Sequence, residues 1–121
     1  MRDDSKLGRI EVAPSAIASL AAEAVKECYG VVGMSSRSFL TDIAGTLQRN
    51  TPRGIDVQVK DDSVVVDVYV IVEYGTRITE VAGGVMRRVR FTLENTLGLR
   101  VEAVNVHVQG LRVSDQNLVH E

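Results

Sequence analysis

Between Ile55 and Val72 the chain places aliphatic residues at every second position on both sides of a short polar break, and this alternation constrains the fold most. Ile55, Val57 and Val59 are separated by Asp56 and Gln58; after Asp61, Asp62 and Ser63, Val64, Val66, Val68, Val70 and Val72 resume the period. Side chains of a strand point alternately to opposite faces, so a period of two predicts two strands with one shared apolar face. The polar residues between them favour a turn, which makes the pair a β-hairpin. On the second strand the other face carries Val65, Asp67, Tyr69, Ile71 and Glu73. Faces so different in character belong to a sheet covered on one side.

Beyond the hairpin the period changes. Gly75 breaks the strand, Thr76 is the expected N-cap, and a helix runs to about Thr96 with Gly98 at its end. Its core stripe is Ile78, Val81, Ala82, Val85, Val89, Leu93 and Thr96. Val104, Val106 and Val108 then alternate with Asn105, His107 and Gln109, while Val101 and Ala103 have the opposite parity. A bulge near Ala103 reconciles the two halves of this closing strand. Upstream, Ile10, Glu11 and Val12 suit a short edge strand, and Pro14 begins a helix to Glu27, since proline fits the first helical turn. Ile17, Leu20, Ala21, Ala24, Val25 and Cys28 share its inner face; Gly30 caps it, and Val31 to Ser35 return as a strand. In residues 36–54, Phe39, Leu40, Ile43, Ala44 and Leu47 recur at helical spacing, but Gly45 weakens the pattern and Pro52 ends it. A short helix or an ordered loop fits there, serving as a lid over one core edge or as an apolar patch for a partner.

These elements predict an α+β fold: a mostly antiparallel sheet with two principal helices on one face, in the order β-α-β-β-β-α-β. The expected domain is 8–113, with 1–7 and 114–121 as flexible termini. At 121 residues and 45% apolar content the chain is large enough to bury a core of its own. A formal net charge of -2 argues against a surface shaped throughout for nucleic acid or anionic lipid. One cysteine rules out an internal disulfide and a cysteine metal cluster, and suits a reducing cytoplasm. The start, MRDDSKLGRI, has no apolar signal core, and the stretch from Val64 to Val72 is too short for a helical bilayer span.

The chain carries no familiar catalytic pattern: GxSxG, GxxxxGK[ST], GxGxxG, HExxH and CxxC are all absent. One polar constellation merits weighing. If the hairpin and the last strand are neighbours, Gln58, Asp67, Tyr69, Glu73, Asn105, His107 and Gln109 share the non-core face. A flat solvated face supplies no pocket to shift a pKa, so acid-base catalysis is not expected, and no catalytic, cofactor or metal residue is assigned. Cys28 reads as a small core residue, without an evident cation to stabilise a thiolate.

The second helix offers a sharper surface. Its outward side presents Glu80, Gly84, Arg87, Phe91 and Glu94. Phe91, one turn from Arg87 and two from Gly84, either anchors a partner or is covered by residues 36–54. Gly83 and Gly84 each cost about 1 kcal/mol relative to alanine, which close packing of another backbone offsets. Gly84, Arg87, Arg88 and Phe91 are therefore the candidate interaction surface. Arg77, Arg87, Arg88 and Arg90 form the one basic concentration, with Arg90 and Glu94 spaced for an ion pair. The alternative function, a phosphate- or nucleic-acid-binding module on this Arg-rich face, is disfavoured by an aromatic content of 4%.

Four segments together resemble the alkaline-shock, envelope-stress-response protein family of Gram-positive bacteria: GRIEVAPSAIASLAAEAV, YGVVGMSSR, GIDVQVKDDSVVVDVYVIVEYGTRITEVAGGVMRRV and LGLRVEAVNVHVQGLRV. The resemblance covers about residues 8 to 113, with Gly30, Gly54, Tyr74, Gly75, Glu80, Val81 and the VNVHVQG segment as landmarks. It implies a noncatalytic cytoplasmic interaction or scaffold protein that self-associates and supports cell-envelope homeostasis. The partners it implies are a second copy and a membrane-anchored protein, without direct membrane insertion, nucleic acid or cofactor. Gly83 and Gly84 depart from the polar helix formers expected at their positions.

Overall fold

A computed structural model describes residues 2–35 and 54–113. The elements are β1 (Arg2–Ser5), β2 (Gly8–Glu11), α1 (Pro14–Lys26), β3 (Val31–Met34), β4 (Ile55–Val59), β5 (Val64–Glu73), α2 (Ile78–Thr96) and β6 (Val101–Arg112). The expected order is present with an additional strand in front. Arg2–Ser5 pairs antiparallel with β2, from Arg2 opposite Glu11 to Ser5 opposite Gly8, so backbone pairing reaches into the segment expected to be a flexible terminus. The helix or loop expected in 36–53 and the tail 114–121 lie outside the described residues.

The valine hairpin organises the sheet. β4 pairs antiparallel with β5, Ile55 opposite Val68 through Val59 opposite Val64, and the Lys60 amide donates to the Ser63 carbonyl at 2.8 Å to close the turn. β3 pairs antiparallel with the later part of β5, from Val31 opposite Val72 to Met34 opposite Val70. The change of partner falls at Tyr69, whose amide donates to the Gly54 carbonyl while its carbonyl accepts from the Ser35 amide. Gly54 has φ +86°, and a Cβ there would lie 2.8 Å from Cβ of Met34, so this junction requires glycine. β6 pairs with β5 from Val64 to Glu73, in parallel. The mostly antiparallel sheet thus contains one parallel pair, and α2 is its crossover.

The bulge inferred from valine parity is present: Val64 faces Val101 and Val65 faces Ala103, leaving Glu102 over. A second shift, between Val108 and Gly110, leaves Gln109 over.

Both helices cover the Val64, Val66, Val68, Val70 and Val72 face. All five valines are fully buried, each worth roughly 1.5–3 kcal/mol relative to exposure. From α1 the core takes Ile17, Ala18, Ala21, Ala22, Ala24 and Val25; from α2 it takes Val81, Val85, Val89 and Leu93. Leu20 and Cys28 pack at its margin. Alanines on α1 let the helices approach closely, and at Gly30 (φ +89°) a Cβ would come within 2.6 Å of Cγ2 of Val81.

The ends of α2 differ from expectation. Thr76 does not cap the helix: its hydroxyl donates to the Glu73 carbonyl at 2.7 Å, closing the turn after β5, and the N-cap position is Arg77. Ile78 and Thr96, expected in the core stripe, are exposed because the stripe meets the sheet only over the helix's middle turns.

Candidate functional site

The open face of the sheet gathers four of the seven polar residues considered for it. Asp67 Oδ1 accepts from Asn105 Nδ2 at 3.2 Å and lies 3.0 Å from His107 Nε2. A carboxylate only accepts, so the pair is satisfied by the His107 tautomer carrying its proton on Nε2. His107 also stacks on Tyr69, with ring centroids 4.5 Å apart and planes 11° from parallel. Tyr69 is 8% exposed, so this face is not uniformly solvated. Asn105 and His107 are the register partners of Asp67 and Tyr69, and the cluster therefore fastens the parallel strands in one alignment. Gln58 and Glu73 fall at other register positions, opposite Val65 and Arg112, and Gln109 occupies the second bulge. The arrangement orients an imidazole. Among the described residues no buried side-chain nitrogen or oxygen lacks a partner, and no group of three His, Cys, Asp or Glu side chains is placed to hold a metal ion.

The outward face of α2 has a different character. Val81, Val85, Val89 and Leu93 turn one side inward, which leaves Glu80, Arg87 and Phe91 exposed and Gly84 half-buried. Phe91 is 63% exposed, so no described segment covers it. A Cβ added at Gly84 meets nothing within 4 Å, and one at Gly83 meets only Nη1 of Arg87, at 3.4 Å. Neither glycine is explained by packing within the described chain.

The arginines are unequal. Arg77 pairs with Glu80 at 2.8 Å, Arg88 with Glu27 at the C-cap of α1, and Arg90 with Glu94 at the expected spacing. Arg90 also donates to the Val101 carbonyl at 2.7 Å, tying α2 to the start of β6. Arg87 makes no ion pair with a described residue.

Beside Gly84 and Arg88 lies a cavity of about 490 Å³ between the end of α1 and the start of α2, lined by Glu27, Cys28, Tyr29, Thr76 and Glu80 among others. Tyr29 is 83% exposed at its rim. The Cys28 thiol donates to the Ala24 carbonyl at 3.4 Å. Burial pushes its pKa up; the Arg88 guanidinium opposes this and the Glu27 carboxylate adds to it. Arg88 is the cation that the sequence did not place beside Cys28, but burial outweighs it and the thiol stays protonated.

Periodicity placed Gly84, Arg87 and Phe91 on one face, and the structure keeps them together; Arg88 turns toward α1. No local sequence pattern marks the cavity, because its walls come from distant segments. Its available signal is a repeated Tyr-Gly dipeptide: Tyr29-Gly30 and Tyr74-Gly75 each end an element, with glycine φ of +89° and +99°.

The model of the alkaline shock protein family, described as having a cell envelope-related function, matches residues 2–113. The chain is 40% identical to the uncharacterised protein YloU of Bacillus subtilis over 92% of its own length and 94% of that protein. It is 39% identical to the uncharacterised protein Spy1614 of Streptococcus pyogenes over 94% of its length and 96% of that protein. The uncharacterised protein YqhY of Bacillus subtilis is 33% identical over 91% of this chain and 82% of that protein.

Proposed function

The chain belongs to the alkaline shock protein family, whose function is cell envelope-related, and on that footing we propose that it is a noncatalytic interaction protein that self-associates in the cytoplasm. In this reading it supports cell-envelope homeostasis as a scaffold, brought near the membrane by a membrane-anchored protein partner. Among the described residues no helix is long and apolar enough to cross a membrane.

The observation that carries the reading is Phe91, 63% exposed on the same face as Gly84. A large aromatic beside backbone without side chains is an anchor that another backbone can approach closely. The phosphate-binding alternative draws less support, because Arg77, Arg88 and Arg90 are each already matched to a carboxylate.

Phe91→Ala tests the proposal. An exposed side chain contributes little to the monomer's core, so the variant folds as the parent does. Its dissociation constant for self-association rises by at least about thirtyfold, the effect of losing one anchor worth about 2 kcal/mol. Light scattering at matched concentrations measures this; an unchanged mass distribution defeats the assignment of Phe91.

A further inference from the structure

Resting on the self-association reading, we infer that two copies pair through antiparallel α2 helices crossing between Gly83 and Gly84, with Phe91 of each copy entering the cavity of the other beside Cys28 and Tyr29.

Three independent features meet in this one register. A two-fold interface brings the same patch of both copies together, so each contact occurs twice. A crossing between Gly83 and Gly84 uses the two helix positions that the described chain leaves without a packing role, and there the backbones approach closely. The same crossing sets Arg87 opposite Glu80 of the second copy. Arg87 is the arginine of this face without an ion pair among the described residues. Glu80 engages Arg77 through Oε2, which leaves Oε1 to accept from Arg87. The crossing also sets Phe91 opposite Thr76. At 1.5 Å per residue Phe91 lies about 11 Å from the crossing point, just past the start of the facing helix, where Thr76 and Glu80 line the cavity. At about 490 Å³ that cavity has room for a phenyl ring.

Other registers satisfy fewer of these features. A parallel pair sets Arg87 against Arg87. An antiparallel crossing between Arg90 and Phe91 sets Arg87 opposite Glu94, but it has no glycine at the close approach and leaves the cavity empty. The charge pattern and the glycines select the first arrangement.

Charge exchange tests the register. Glu80→Arg or Arg87→Glu alone raises the dissociation constant about tenfold or more, because each creates two like-charge contacts, and the double variant returns toward the wild-type value. Both positions are exposed, and circular dichroism verifies that the variants keep the fold. Alkylation of Cys28 gives a second readout: in wild type it slows as protein concentration rises, because the second copy's Phe91 covers the cavity. In Phe91→Ala that protection disappears. Single reversals that weaken association, with rescue in the double variant, support the arrangement. A dimer indifferent to all three charge variants overturns it and leaves self-association to another surface. A wild-type chain that stays monomeric across the accessible concentration range overturns both the arrangement and the self-association reading.

Discussion

At Cys28, burial and two charges compete for the same proton. Burial raises the thiol pKa most, Arg88 lowers it and Glu27 raises it. Arg88 and Glu27 are paired with each other, so their fields at the sulfur partly cancel. In dilute protein the pH midpoint of Cys28 alkylation therefore lies above the ordinary thiol value. Arg88→Gln moves it further up, and Glu27→Gln moves it down. A wild-type midpoint at or below the ordinary value contradicts the burial argument. The linkage has a definite sign: because the folded pKa is raised, the associated stability is complete below the unfolded thiol pKa and is lost as pH rises through the folded one. Neutral pH is on the stable side.

In α2, local preference and packing pull in opposite directions at Gly84. Alanine there meets no atom within 4 Å, so Gly84→Ala gains helix propensity without a clash. Dilute monomer should gain about 1 kcal/mol, or about 4 °C in melting temperature for a domain of this length. The same methyl group sits at the close approach of two helices, so association weakens while the monomer is stabilised. Opposite signs in thermal melts and light scattering identify an intermolecular role; a stabilised monomer with unchanged association removes it. The middle turns of α2 were legible because Val81, Val85, Val89 and Leu93 repeat at helical spacing. Its ends were less so: Thr76 has a capping side chain, but it belongs to the turn after β5, where its hydroxyl donates to the Glu73 carbonyl, and the helix starts one residue later with Arg77 at the N-cap. Valine parity likewise revealed the Glu102 bulge, since one extra residue inverts every side chain beyond it. No comparable pattern marked Arg2–Ser5, whose polar residues carry no apolar alternation although their backbone pairs with β2.

Across the full chain, what the sequence could not express was which strands adjoin. Strand periodicity puts Asp67, Tyr69, Asn105 and His107 on the open face, but their hydrogen bonds and stacking depend on the parallel register of β5 and β6. The cavity depends likewise on the approach of α1 to α2, set by small residues and by Gly30. Both follow from β5, because this one strand holds β3, β4 and β6 and carries the valines on which both helices rest. A single contiguous core of this kind unfolds as one unit. Val66, fully buried on β5 between its register partners Val57 of β4 and Val104 of β6, is the test position. Val66→Ala removes two methyl groups and leaves a cavity that its neighbours fill only in part. The loss is about 2 kcal/mol, equivalent to a melting temperature lower by about 8 °C. Helix content by far-ultraviolet circular dichroism and tyrosine fluorescence, to which buried Tyr69 contributes, fall together in parent and variant at matched concentration. Two separated transitions in the parent show instead that sheet and helices form distinct cooperative units, which a shared layer of five buried valines does not permit.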